Sequence, residues 1–242
     1  MPKSLKRERT RGRPTSSNRA SSFHLRWGGL PAGVPFVAAE AVIEVVLPPQ
    51  VPELYFWALQ VTFADRGRRF GGAHLGLQWH PQHPGSTAVN WGGYAPAGGE
   101  LDGSESPLPS ALGNPNTRDL RWEPGRPYPL SVNRGVDGWS GAVDGRPVRE
   151  LHAGGAELID LMVWSEVFAR CDDPPVVVRW SDLVARDASG QEHRPDRLTV
   201  TYQTVADGGC SNTDVVVPPD GGWVEQRTSV PRTVSHGTVM RF

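Results

Sequence analysis

Long apolar runs are missing from this sequence. No stretch reaches the roughly 18 consecutive apolar residues of a membrane-spanning helix, so no membrane association is expected. Residues 30–39, where an apolar signal core would have to lie, are broken by Pro31, Gly33 and Pro35. Without a cleavable signal the expected location is cytoplasmic. Cysteine is scarce too, with only Cys171 and Cys210, each beside turn residues. Bridged, they would close a loop of about 40 residues and add about 4 kcal/mol in the chain-entropy picture. A bridge would point to secretion and free thiols to the cytoplasm, and the sequence leaves both open. Lysine is absent after Lys6, and no glycine pair is followed by Lys-Ser or Lys-Thr, so no phosphate loop exists and no cofactor is expected. There is no Gly-x-Ser-x-Gly elbow, no readable histidine partner for Cys171 and no Asn-x-Ser/Thr acceptor.

What is abundant is punctuation. The 242 residues include 28 glycines and 23 prolines, which interrupt almost every window long enough for a helix. Asp-Gly pairs at 102, 137, 144, 207 and 220 supply the positive φ angles that tight hairpins need. Between the turns lie short runs rich in β-branched and aromatic residues: 37–47, 54–64, 74–80, 86–91, 128–133, 161–168, 176–183, 197–205 and 223–230. Residues 139–151 read as a hairpin around Asp144-Gly145, and 96–125 as one long loop excursion. The longest stretch free of Gly and Pro, 156–173, competes as a helix, but its centre, Val163 to Phe168, favours a strand. The expected fold is all-β, an antiparallel jelly-roll β-sandwich.

Charge divides the chain unevenly. Residues 1–19 hold seven cations against Glu8 alone, a tail of +6 on a body of -7. The expected organisation is a disordered basic tail over residues 1–22 and a single domain over 23–242. Such a tail neutralises phosphates when it binds nucleic acid, but more often it is a solvated terminus, so no nucleic-acid partner is expected beyond it. The oligomeric state is not legible.

Alternation along 74–80 places Leu75, Leu77 and Trp79 on one face and His74, Gln78 and His80 on the other. By the same rule Asn90 opposes Trp91, and Glu166 shares a face with Trp164 and Phe168. A carboxylate and amides beside aromatic rings suit a sugar, whose C–H face stacks while its hydroxyls hydrogen-bond. His74, Gln78, His80, Asn90, Trp164 and Glu166 are therefore the candidate ligand-binding set. Metal binding is not expected. His74 and His80 lie about 20 Å apart on a straight strand, and the His80/His83 pair has no acidic or cysteine neighbour in sequence.

One acidic spacing is pointed. Glu100, Asp102 and Glu105 match the Glu-x-Asp-x-x-Glu pattern of retaining β-glucanases with a concanavalin-like sandwich. Resemblance to those enzymes implies Glu100 as nucleophile, Asp102 as its electrostatic neighbour and Glu105 as general acid/base. The pattern departs at Gly103 and Ser104, which replace the apolar residues that would hold such a strand in its sheet.

The segments His74-Leu75-Gly76-Leu77-Gln78, Asn90-Trp91-Gly92-Gly93-Tyr94, Trp122-Glu123-Pro124-Gly125-Arg126-Pro127-Tyr128 and Trp139-Ser140-Gly141-Ala142-Val143 follow one another as in the bacterial domain of unknown function 3472, which the chain resembles over roughly residues 54–185. That resemblance implies a concanavalin A-like sandwich and carries no activity with it. The leading expectation is a non-catalytic, lectin-like protein with a carbohydrate ligand. The alternatives are a glycoside hydrolase, built on Glu100 and Glu105 or on Glu166, and a structural or partner-binding domain.

Overall fold

The computed structural model describes residues 8–242, and its regular structure is almost wholly strand. Sixteen strands follow in order: β1 (Ser21–Gly28), β2 (Phe36–Leu47), β3 (Tyr55–Asp65), β4 (Arg68–Trp79), β5 (Thr87–Tyr94), β6 (Thr117–Asp119), β7 (Pro127–Arg134), β8 (Trp139–Val143), β9 (Arg146–Leu151), β10 (Glu157–Val167), β11 (Val176–Asp187), β12 (Glu192–His193), β13 (Arg197–Tyr202), β14 (Thr213–Val216), β15 (Trp223–Thr228) and β16 (Val239–Arg241). A single 3-10 turn, Pro84–Ser86, interrupts them. No helix among the described residues is long and apolar enough to cross a membrane.

Every pairing is antiparallel, and the strands form two layers. The first runs β16-β13-β1-β10-β3-β4-β5-β6, the second β14-β15-β11-β2-β7-β8-β9, with β12 beside β11. The layers meet in the ladder at one residue pair, Leu158 with Phe36. The all-β antiparallel architecture expected from the turn signals is observed, and it is sandwich-like.

Alternation explains which faces meet. In β3, Tyr55, Trp57, Leu59, Val61 and Phe63 point inward and are at most 1% exposed; Leu75 and Leu77 of β4 and Ile43 and Val45 of β2 do the same from either layer. Trp91, Trp139 and Trp180 lie in the same continuous core, so these tryptophans serve packing, Phe63 stacking on Trp139 with centroids 5.3 Å apart. Asp144 (φ 51°) and Gly145 (φ 70°) form the β8–β9 hairpin in the left-handed conformation that the Asp-Gly pair predicts. The helical alternative for 156–173 gives way to β10, whose ladder with β3 shifts register between Ile159 and Met162, where Asp160 takes φ 50°.

Three expectations need correction. Residues 1–7 lie outside the described residues, but the segment from 9 to 20, assigned to a disordered tail, is bonded to the body. Thr15 donates to Gly208 O, Cys171 to Gly12 O and Ser211 to Arg9 O through their backbone N–H groups, and β1 then begins at Ser21. Phe168 falls past the end of β10, outside the strand whose alternation was to place it beside Glu166. The excursion over 96–125 contains β6, which closes the edge of the first layer. Cys171 and Cys210 form a disulfide.

Candidate functional site

The outward face of the first layer carries a second, small apolar cluster, Phe56, Ala58, Met162 and Trp164, apart from the core. Strand register arranges this face in rows. One row runs Ser22, Glu166, Phe56, Gln78 across β1, β10, β3 and β4. The next runs His24, Trp164, Ala58, Gly76, Asn90, and a third Arg26, Met162, Gln60, His74, Gly92. The middle row dips at Ala58 and Gly76. A Cβ at Gly76 would stand 1.8 Å from Trp57 O, so only glycine fits the close strand approach there. The Phe56 ring leans along the sheet into this dip, 5.3 Å from both the His74 and Trp164 rings, and away from the row that holds Gln78 and Glu166.

A cleft of about 460 Å³ lies on these rows, with Glu166, Asn18 and Ser22 at one end, Gln60, His74 and Tyr94 at the other, and His24 and Trp164 between. Glu166 is its single carboxylate. Burial raises the pKa of Glu166 above the usual glutamate range, against hydrogen bonds from Asn18 and Ser22 that favour the ionised form. Asn18 Nδ2 donates to Glu166 Oε1 at 2.8 Å. Burial also lowers His24 and His74 to about 4, with Arg26 adding to the effect at His24, so both imidazoles are neutral above that pH. Three buried polar atoms of the face lack partners among the described residues: Trp164 Nε1, Gln78 Oε1 and Asn90 Oδ1. Asn90 does donate to Thr117 Oγ1 at 2.8 Å.

The structure thus gathers His74, Trp164 and Glu166 of the candidate set in one cleft, with Gln78 and Asn90 on the same face and buried beside it. His80 is elsewhere. β4 ends at Trp79, and the backbone bond from His80 N to Ser86 O turns His80 into a loop, with its ring 4.6 Å from that of His83. His83 in turn bonds Asp119 at 2.6 Å. No group of three or more metal-ligating side chains occurs among the described residues. Glu100, Asp102 and Glu105 sit exposed on the long loop rather than on a sheet strand. Glu100 accepts from Asn116, Asp102 accepts from the N–H of Gly103, and the three carboxylates line no common cleft with Glu166. The residues that sequence reasoning missed are Gln60, His24, Ser22, Tyr94 and Asn18. Alternation along 55–65 marks Gln60 as a companion of Phe56, whereas Asn18 lies in an irregular segment with no period to read.

No family profile and no curated protein matches the sequence. Among solved structures, the chain is similar to scytalido-glutamic peptidase in complex with a peptide-based transition state analog, at 13% identity and a TM-score of 0.52, covering 88% of this chain and 98% of that one. It is also similar to carbohydrate binding module CBM66 from Bacillus subtilis (10% identity, TM-score 0.38, 74% and 96% covered). A third is a native glycosidic hydrolase (11% identity, TM-score 0.35, 88% and 80% covered). The first of these likenesses establishes a shared all-β fold.

Proposed function

We propose that the chain is a hydrolase of extended peptides, with Glu166 as the group that exchanges protons and Gln78 as its amide partner. The observation that carries this reading is the position of Glu166. It is the lone carboxyl of the cleft, held by Asn18 and Ser22, with its pKa raised by burial. A glycosidase would need a second carboxyl facing it, and the cleft has none. Gln78 stands in the same row, two strands away and so about 10 Å between Cα atoms, buried beside the cleft. A scissile amide lying between them would be attacked by a water whose proton passes to ionised Glu166. Its carbonyl oxygen would take a hydrogen bond from the Gln78 amide, and the Glu166 proton would then pass to the departing amine. The likeness to a glutamic peptidase along 98% of that chain supports the same reading. A closed disulfide supports a location outside the reducing cytoplasm.

Tyr94, 53% exposed at the mouth of the cleft, favours a second reading. There the same face, in a jelly-roll sandwich of concanavalin A-like type, binds a glycan without cleaving it, the ring stacking on a sugar. One experiment separates the two. The purified chain is incubated with an unfolded protein between pH 3 and 7 and new termini are read by mass spectrometry, while a parallel sample is applied to a glycan array. Cleavage that falls at least about 100-fold in Glu166→Gln establishes the hydrolase. No new termini at any pH, with saccharide binding lost in Tyr94→Ala, overturns it in favour of the lectin-like reading.

A further inference from the structure

Asn18 is fixed before it meets Glu166. Its Oδ1 accepts from the N–H of Ala20 at 3.2 Å, which leaves Nδ2 as the edge presented to Glu166 Oε1. The strap that carries it, residues 9–20, passes between two loops. On one side lie Cys171 and Asp172, which exchange bonds with Gly12: Cys171 N donates to Gly12 O at 2.8 Å and Gly12 N to Asp172 Oδ1 at 3.0 Å. On the other side Thr15 N donates to Gly208 O, and Arg9 and Ser211 bond reciprocally. A Cβ at Gly208 would lie 2.1 Å from Ser16 N, so the strap is pressed directly onto that loop. These two loops are the ones that the Cys171–Cys210 disulfide joins, and Cys210 N also donates to Ser21 Oγ where the strap becomes β1.

We infer that Asn18 is the positioning residue of Glu166, and that the Cys171–Cys210 disulfide acts on the candidate site through it, by clamping the strap that holds Asn18 in place. The inference rests on Glu166 being the centre of the site and deepens that reading. A hydrogen bond from Nδ2 favours the ionised carboxylate and fixes which oxygen faces the cleft, so loss of the strap leaves Glu166 harder to ionise and free to rotate. The other titratable groups on this face are His24 on β1, His74 on β4 and Tyr94 on β5. Arg26, in the row of His74, and Arg69, farther along the sheet opposite Ala64, are both engaged by Asp160. Ser22, Phe56 and Gln78, which share the row of Glu166, carry no charge.

The test reads the ionisation of Glu166 itself, on the full chain without substrate, by isotope-edited infrared or NMR titration with Glu166→Gln as the assignment control. Asn18→Ala is expected to move the midpoint upward. Cys171→Ser with Cys210→Ser is expected to move it upward by the same amount, and adding Asn18→Ala to that pair should move it no further. If the cysteine pair fails to fold, Asp172→Ala combined with Arg13→Ala releases the strap at exposed contacts with the disulfide intact and is expected to shift the midpoint in the same direction. An unchanged midpoint in Asn18→Ala overturns the positioning role. An unchanged midpoint in the strap variants, or shifts that add, overturns the clamp. Because no turnover is measured, these outcomes are independent of whether peptides prove to be substrates.

Discussion

His24 and His74 flank Trp164 from opposite sides of β10, with ring centroids 5.8 and 5.7 Å from it. Neither imidazole faces a carboxylate that would reward its protonation, and burial holds both near 4 against an ordinary value of 6.5.

The sign of the resulting pH dependence follows from linkage. Between about 6.5 and 4 the unfolded chain binds a proton on each of these histidines and the folded chain does not, so their contribution to stability falls as pH drops through that window and levels off below about 4. Denaturant titrations at intervals of pH should show a flatter profile over this window in His24→Gln with His74→Gln than in the parent. Parallel profiles would mean that the rings protonate freely in the folded state.

Glu166 works in the opposite direction. A carboxyl whose folded pKa is raised stabilises the fold while it is protonated, and that contribution is lost as pH rises through the folded value. Glu166→Gln should therefore raise the melting temperature at neutral pH and lose that advantage in acid. A variant that is less stable than the parent at neutral pH would show that the hydrogen bonds from Asn18 and Ser22 outweigh burial.

Gly76 lies at the floor of the dip in this face, where a Cβ would meet Trp57 O at 1.8 Å and Ala58 Cα at 2.6 Å. Both contacts are backbone and cannot swing aside. Gly76→Ala should cost about 3 kcal/mol or more, measured by chemical denaturation, because β3 and β4 must part to admit the methyl group. A loss below about 1 kcal/mol would mean that the strands separate freely at this point.

The disulfide spans a sequence separation of 39, for which chain entropy gives about 4 kcal/mol. Cys171→Ser with Cys210→Ser should lower the unfolding free energy by about that amount. A much smaller loss would show that the bonds of the N-terminal strap to the same loops already hold them together.

Much of this architecture was legible because alternation is a local property. Each of the nine apolar runs read from the sequence contains strand, and the alternation that put Leu75 and Leu77 in the core also put His74 and Gln78 on the outer face. What was not legible depends on where chain ends and edges go. His80 lies one residue past the last paired position of β4, and no pattern marks where pairing stops. β1 was divided between a tail and a domain because its neighbours in sequence are basic, whereas its neighbours in space are β10 and β13. Asn18 meets Glu166 only through that long-range pairing, so the partner of the most informative carboxyl had no signature in its own surroundings. The Glu100, Asp102 and Glu105 spacing shows the reverse error, a pattern in sequence that the loop fastens to the sheet only at single bridges, Glu100 to Tyr94 and Gly103 to Leu151.

The place of β1 also sets the order in which this molecule is made. Both strands that flank it, Glu157–Val167 and Arg197–Tyr202, lie far along the chain from β1. During synthesis the N-terminal segment must wait on the ribosome with its edges unpaired while the rest emerges, and closure of such distant contacts is slow. Glu166 is therefore joined by Ser22 and Asn18 across more than 140 residues of intervening chain. A nascent chain long enough to carry Glu166 already carries Ser22 and Asn18, but Gly208 and Ser211, which anchor the strap on its other side, come later.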